Sequence, residues 1–149
     1  MIRSVLAAAA LATALPAAAQ QSGSLWSRGF NQGITEYRTG QWDAPTGGAL
    51  ALSCLPSGQA SIAAQIKGRA PPAGSALRLR VSSRAGSREW RFATDGQGSV
   101  KLAASSADFR GLWAALRSRD TVTIRYSDGR FSVQSLAGAG KTLPATPCG

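Results

Sequence analysis

The chain has 149 residues, with 17 Lys+Arg against 7 Asp+Glu and no histidine, giving a formal net charge of +10 at pH 7 and a pI of about 11.3. That length suits a single domain, and a hydrophobic fraction of 44% is enough for a folded core. Without histidine, Ser–His triads, Cys–His dyads and imidazole metal sites are excluded, and two cysteines alone do not make an ordinary zinc site.

In chain order, the first element is a targeting signal. Arg3 supplies a positive charge, Val5 to Leu15 is apolar, Pro16 breaks the run, and Ala17-Ala18-Ala19 provides small residues for cleavage. The apolar stretch of about 11 residues is too short for a bilayer, which needs roughly 20. Residues 1–19 are therefore expected to be a Sec-type signal peptide cleaved near Ala19. No transmembrane span is expected, and the product is periplasmic or secreted. Residues 20–48 follow as an irregular segment packing on the domain. Its Trp26, Phe30, Tyr37 and Trp42 lie among Ser, Asn, Gln, Thr and Gly. Trp26 and Trp42 are candidates for sugar stacking or a protein hot spot, or they pin the segment to the sheet.

Residues 49–149 read as a β-rich domain. Apolar residues alternate at Leu50, Leu52 and Cys54, at Ile62, Ala64 and Ile66, and at Leu77, Leu79 and Val81, then at Trp90 and Phe92 and at Val100 and Leu102. Asp95-Gly96-Gln97-Gly98 is a turn between strands. A helix over about 106–118 carries Phe109, Leu112, Trp113 and Leu116 on one face, with Ser105-x-x-Asp108 as its capping box. Trp113 is expected in the core. Asp128-Gly129 suits a two-residue type I′ hairpin turn, which would set Tyr126 opposite Phe131 and Ile124 opposite Val133. Export makes a disulfide between Cys54 and Cys148 the expectation, closing a loop of roughly 95 residues. The predicted fold is mostly β: a single-domain antiparallel β-sandwich or small barrel with one α-helix and one disulfide.

The search for reactive groups is largely negative. Gly138-Ala139-Gly140-Lys141-Thr142 imitates the end of a phosphate-binding loop, but Ser135 stands where its first glycine belongs. No Ser-x-x-Lys precedes Lys67, Lys101 or Lys141. Glu36 and Asp43 are the carboxylates a glycosidase would use, a chemistry that needs no histidine. No cofactor, metal site or catalytic constellation is predicted. With the apolar alternates facing inward, Arg78, Arg80, Arg91, Lys101, Arg125 and Arg130 project outward, as does Lys67, and Glu89 is the acid among those outward positions. Two readings fit such a face: a solubilising surface of a GC-rich genome, or a site for anions.

In the C-terminal half, Leu112-Trp113-Ala114-Ala115-Leu116-Arg117, Val122-Thr123-Ile124 and Ser135-Leu136-Ala137-Gly138 resemble the helix–strand–strand–SLxG run of the invasion-associated locus B family. That resemblance implies an exported, β-rich, non-catalytic protein and assigns no functional residue. The expected function is a non-catalytic exported binding or accessory module that recognises an anionic envelope component or an acidic partner protein. Nucleic acid is not an expected partner, because the chain is exported and lacks an RNA-binding aromatic signature. The alternatives are an inhibitor of an envelope-targeting enzyme and a small carbohydrate-active enzyme.

Overall fold

A computed structural model describes residues 26–149. The signal peptide expected at 1–19 lies outside the described residues. The chain runs β1 (Ser27–Asn31), β2 (Ile34–Gly40), β3 (Gly48–Cys54), β4 (Gln59–Ile66), β5 (Ala76–Ser83), β6 (Gly86–Ala93), β7 (Val100–Ala103), α1 (Ala107–Ser118), β8 (Thr121–Tyr126), β9 (Phe131–Ser135) and the short α2 (Ala139–Thr142). The strands form two antiparallel sheets, ordered β1-β2-β3-β4-β7 and β6-β5-β8-β9. The architecture is a sandwich rather than a closed barrel.

Two-residue alternation builds the core, because successive strand side chains point to opposite faces. Leu50, Leu52, Ile62 and Ile66 come from one sheet, and Leu77, Leu79, Val81, Val122 and Ile124 from the other. Burial of each such side chain contributes about 1.5–3 kcal/mol. Ala49, Ala51 and Ser53 on the opposite face of β3 are small and are buried as well, so this central strand has no exposed residue.

The segment 20–48, expected to be irregular, instead supplies the β1–β2 hairpin and the start of β3 from residue 27 onward. Gly33, at φ +80°, makes its turn. Gly40, also at φ +80°, ends β2 so close to β3 that a Cβ would lie 2.1 Å from the Gly48 carbonyl oxygen.

Helix α1 follows the predicted pattern, with Phe109, Leu112 and Leu116 fully buried. Its cap is one residue later than expected: the Ser106 hydroxyl, not that of Ser105, accepts from Phe109 N–H at 3.3 Å. Trp113 is the joint at this end. Its ring meets Tyr37 of β2 edge-on at 5.2 Å, and its Nε1 donates to the Pro144 carbonyl at 2.9 Å. One turn on, Arg117 Nε donates to the Leu143 carbonyl at 2.9 Å. The tail so held ends in the Cys54–Cys148 disulfide, which ties it to the end of β3.

The β8–β9 hairpin departs from expectation by one residue. Tyr126 N–H donates to the Arg130 carbonyl at 2.9 Å and Gly129 N–H to the Tyr126 carbonyl at 3.2 Å, closing a three-residue loop with Gly129 at φ +89°. Arg125 therefore opposes Phe131 and Thr123 opposes Val133. A one-residue slip turns every side chain of a strand to the other face. Ser132 and Gln134 point inward and bond to each other at 2.8 Å, while Phe131 and Val133 face solvent at 58% and 55% exposure. Gly48 makes room, since a Cβ there would sit 2.6 Å from Ser132 Oγ.

Two predictions follow from this packing. Replacing both cysteines by serine removes the constraint on a loop of 94 residues, worth about 4.6 kcal/mol on chain-entropy grounds. Thermal melts of that variant should show Tm lowered by roughly 15 °C. Second, Phe131→Ser and Val133→Ser should each change stability by no more than about 0.5 kcal/mol, whereas Ile124→Ala should cost about 2–4 kcal/mol. Denaturant titration separates this register from the two-residue-turn alternative, in which Phe131 and Val133 would be core residues.

Candidate functional site

The outer face of the four-stranded sheet is built by the same alternation that builds the core. With Leu77, Leu79 and Val81 inward, Arg78 and Arg80 of β5 must point out. Antiparallel pairing then sets Arg78 directly opposite Arg91 of β6 on one side and Arg125 of β8 on the other. Cross-strand neighbours on one face have Cβ atoms about 5 Å apart, so three guanidinium groups form a row across three strands. The row ends on β9 at Phe131, whose ring lies 5.3 Å from the Arg125 guanidinium carbon.

The next row is Glu89, Arg80, Thr123 and Val133. Arg80 donates through Nε and one terminal nitrogen to Ser87 Oγ at 3.1 and 2.9 Å, although Glu89 lies opposite it in the register. Arg78, Arg80, Ser82, Glu89, Thr123 and Arg125 line a recess of about 470 Å³. Among the described residues, Arg78, Arg91 and Arg125 form no ion pair, so their donors point to solvent. This arrangement can hold an anion by forked hydrogen bonds from several guanidinium groups.

The remaining basic candidates are elsewhere. Lys101 lies on β7 of the other sheet and pairs with Asp95 at 3.7 Å. The Asp95 carboxylate is held below its usual range first by the backbone N–H groups of Ser99 and Gln97, and then by Lys101. Lys67, at φ +52°, occupies the turn after β4. Arg130 is engaged at the hairpin, where it bonds Asp128 at 2.6 and 2.8 Å and stacks over Tyr126 at 5.1 Å. Those bonds from Arg130 hold the Asp128 carboxyl below its ordinary value. The outer basic face of the four-stranded sheet thus comprises Arg78, Arg80, Arg91 and Arg125, without Lys101 and Arg130.

The aromatic candidates do not form a platform. Trp26 is 8% exposed and belongs to the core, and Trp42 is half-buried with the Arg38 guanidinium carbon 5.6 Å from its ring centre. Glu36 and Asp43 have separate partners. Glu36 accepts from Arg38 and, at 3.2 Å, from Ser53, whereas Asp43 is bonded to Gln65 at 3.0 Å. Among the described residues, no three His, Cys, Asp or Glu side chains come together as a metal-binding group.

Phe131 and Val133 belong to the outer face and were expected in the core. The signal that bears on their placement is the residue after Asp128: Gly129 closes a three-residue loop as well as a two-residue one, and the choice reverses the strand.

A family model described as YfjT matches residues 24–143. No curated protein and no solved structure matches the chain. The match carries no link to the invasion-associated locus B family. It spans all nine strands, both helices and the whole basic face, stopping short of Cys148, and the chain accordingly belongs to the YfjT family.

Proposed function

We propose that this protein is an exported, non-catalytic binding module that recognises an anionic component of the cell envelope through the outer face of its four-stranded sheet. The observation that carries the reading is the row Arg91–Arg78–Arg125, three like charges directly opposite one another with no ion-pair partner among the described residues. Like charges in that relation repel. A bound polyanion relieves the repulsion and releases its own counterions, so affinity falls steeply as salt rises.

Export is supported by the N-terminal sequence pattern and by the disulfide, which belongs to oxidising compartments. Among the described residues no helix is long and apolar enough to cross a membrane. In the periplasm or outside the cell, phosphate- and carboxylate-bearing envelope material is the abundant polyanion, and guanidinium forks match both groups.

Immobilised heparin, a model polyanion, tests the reading. The protein should be retained at low salt and elute as salt is raised, and the Arg78→Ser, Arg91→Ser, Arg125→Ser triple variant should elute at much lower salt. Retention that is independent of salt, or identical in the triple variant, would remove the basic face as the site.

A further inference from the structure

The outer face of the four-stranded sheet is not only cationic. Phe131 and Val133 stand on it at 58% and 55% exposure, two of the three exposed large hydrophobic residues among those described. They occupy the same cross-strand rows as the basic residues: Phe131 beside Arg125 in the first, and Val133 beside Thr123 in the second, two strands from Arg80. The edge strand β9 thus places an apolar pair at the flank of a guanidinium row. We infer that this face docks on an anionic lipid surface, with Arg78, Arg91 and Arg125 taking phosphate headgroups while Phe131 and Val133 enter the apolar boundary beneath them. The inference rests on the anion-binding reading above and names its ligand.

Three observations favour a lipid surface over a soluble polyanion or an acidic protein. A soluble polysaccharide or polyphosphate gives Phe131 and Val133 no reason to be exposed next to the cations, whereas a headgroup layer over acyl chains meets both kinds of side chain at once. A protein partner would seat apolar anchors in pockets, but the recess beside the pair is lined by Arg, Glu, Ser and Thr, with no apolar side chain. The acids near the face do not oppose the approach strongly. Asp128 at the hairpin is occupied by Arg130, and Glu89 is outnumbered by Arg78, Arg80, Arg91 and Arg125.

The experiment measures sedimentation with vesicles of equal parts phosphatidylglycerol and phosphatidylcholine, beside vesicles of phosphatidylcholine alone, with heparin elution run in parallel. The protein should partition to the mixed vesicles and not to the neutral ones. The Phe131→Ser, Val133→Ser double variant should bind the mixed vesicles about tenfold or more weakly yet elute from heparin at the wild-type salt concentration. The arginine triple variant should lose both. Unchanged vesicle binding by the double variant overturns the proposal. Heparin retention without vesicle binding by the wild-type protein also overturns it while leaving the anion-binding reading intact, and would direct the search to soluble polyanions or acidic proteins. Loss of heparin retention as well would remove both. Because the two substituted side chains are exposed, an unchanged melting curve for the double variant confirms that a binding loss is not a folding loss.

Discussion

The register of β5 between β6 and β8 is the constraint on which the rest depends. Leu77, Leu79 and Val81 are wholly buried, and Arg78 and Arg80 alternate with them. Shifting the strand by one residue would carry two guanidinium groups into the core without partners, a loss of several kcal/mol for each. It would also expose three apolar side chains whose burial contributes about 1.5–3 kcal/mol apiece. Against this, the repulsion of two exposed like charges across a strand pair is worth only roughly 0.2–1 kcal/mol. The core wins, and Arg78 is therefore held opposite both Arg91 and Arg125 whether or not an anion is present. The arginine row is thus a consequence of packing on the other side of the sheet.

A second constraint closes the end of the sandwich. Helix α1 bridges β7 of one sheet and β8 of the other, and Trp113 touches β2 while its indole N–H holds the tail at Pro144. With Arg117 on Leu143 and the disulfide beyond, that end is fastened by packing, by hydrogen bonds and by a covalent bond. The outer face of the four-stranded sheet lies away from this closure, with no element of the described chain covering Arg78, Arg91 or Arg125.

How much of this could be read from the sequence depends on the separation of the interacting residues. The alternation in β3, β4, β5 and β8, the apolar stripe of α1 and the cysteine pair were legible, because each is a local period or a forced pairing. The outward arginines on β5, β6 and β8 followed from the same period. What was not legible lay in pairings that a period does not determine. Asp128-Gly129 admits loops of two or three residues, and Ser132 and Gln134 are polar enough to suggest the solvent side. Their inward placement depends on mutual hydrogen bonding and on the missing side chain of Gly48, a contact between strands 84 positions apart or more. The β1–β2 hairpin was missed for a related reason. All five β1 residues are exposed, so they carry no alternation, and Gly33 sets the turn through its backbone alone. The division of Lys101 from the arginines needed the strand order, since β7 joins the other sheet across a connection from β6.

On the five-stranded sheet Arg38 and Lys101 are each matched to a carboxylate, Glu36 and Asp95, and Arg130 at the hairpin is matched to Asp128. Arg28 of β1, and Arg69, Arg84, Arg88 and Arg110 elsewhere, likewise form no ion pair among the described residues, so lack of a carboxylate partner does not by itself single out the row. What distinguishes Arg78, Arg91 and Arg125 is register: they stand directly opposite one another in one row, on the sheet whose edge strand also turns Phe131 and Val133 outward. The apolar pair is there because β9 buries Ser132 and Gln134, and an inward Phe131 would meet the space that Gly48 leaves only for a small polar group. The same hairpin register that fits β9 to β3 thus makes the opposite face amphiphilic, with charge and apolar surface side by side.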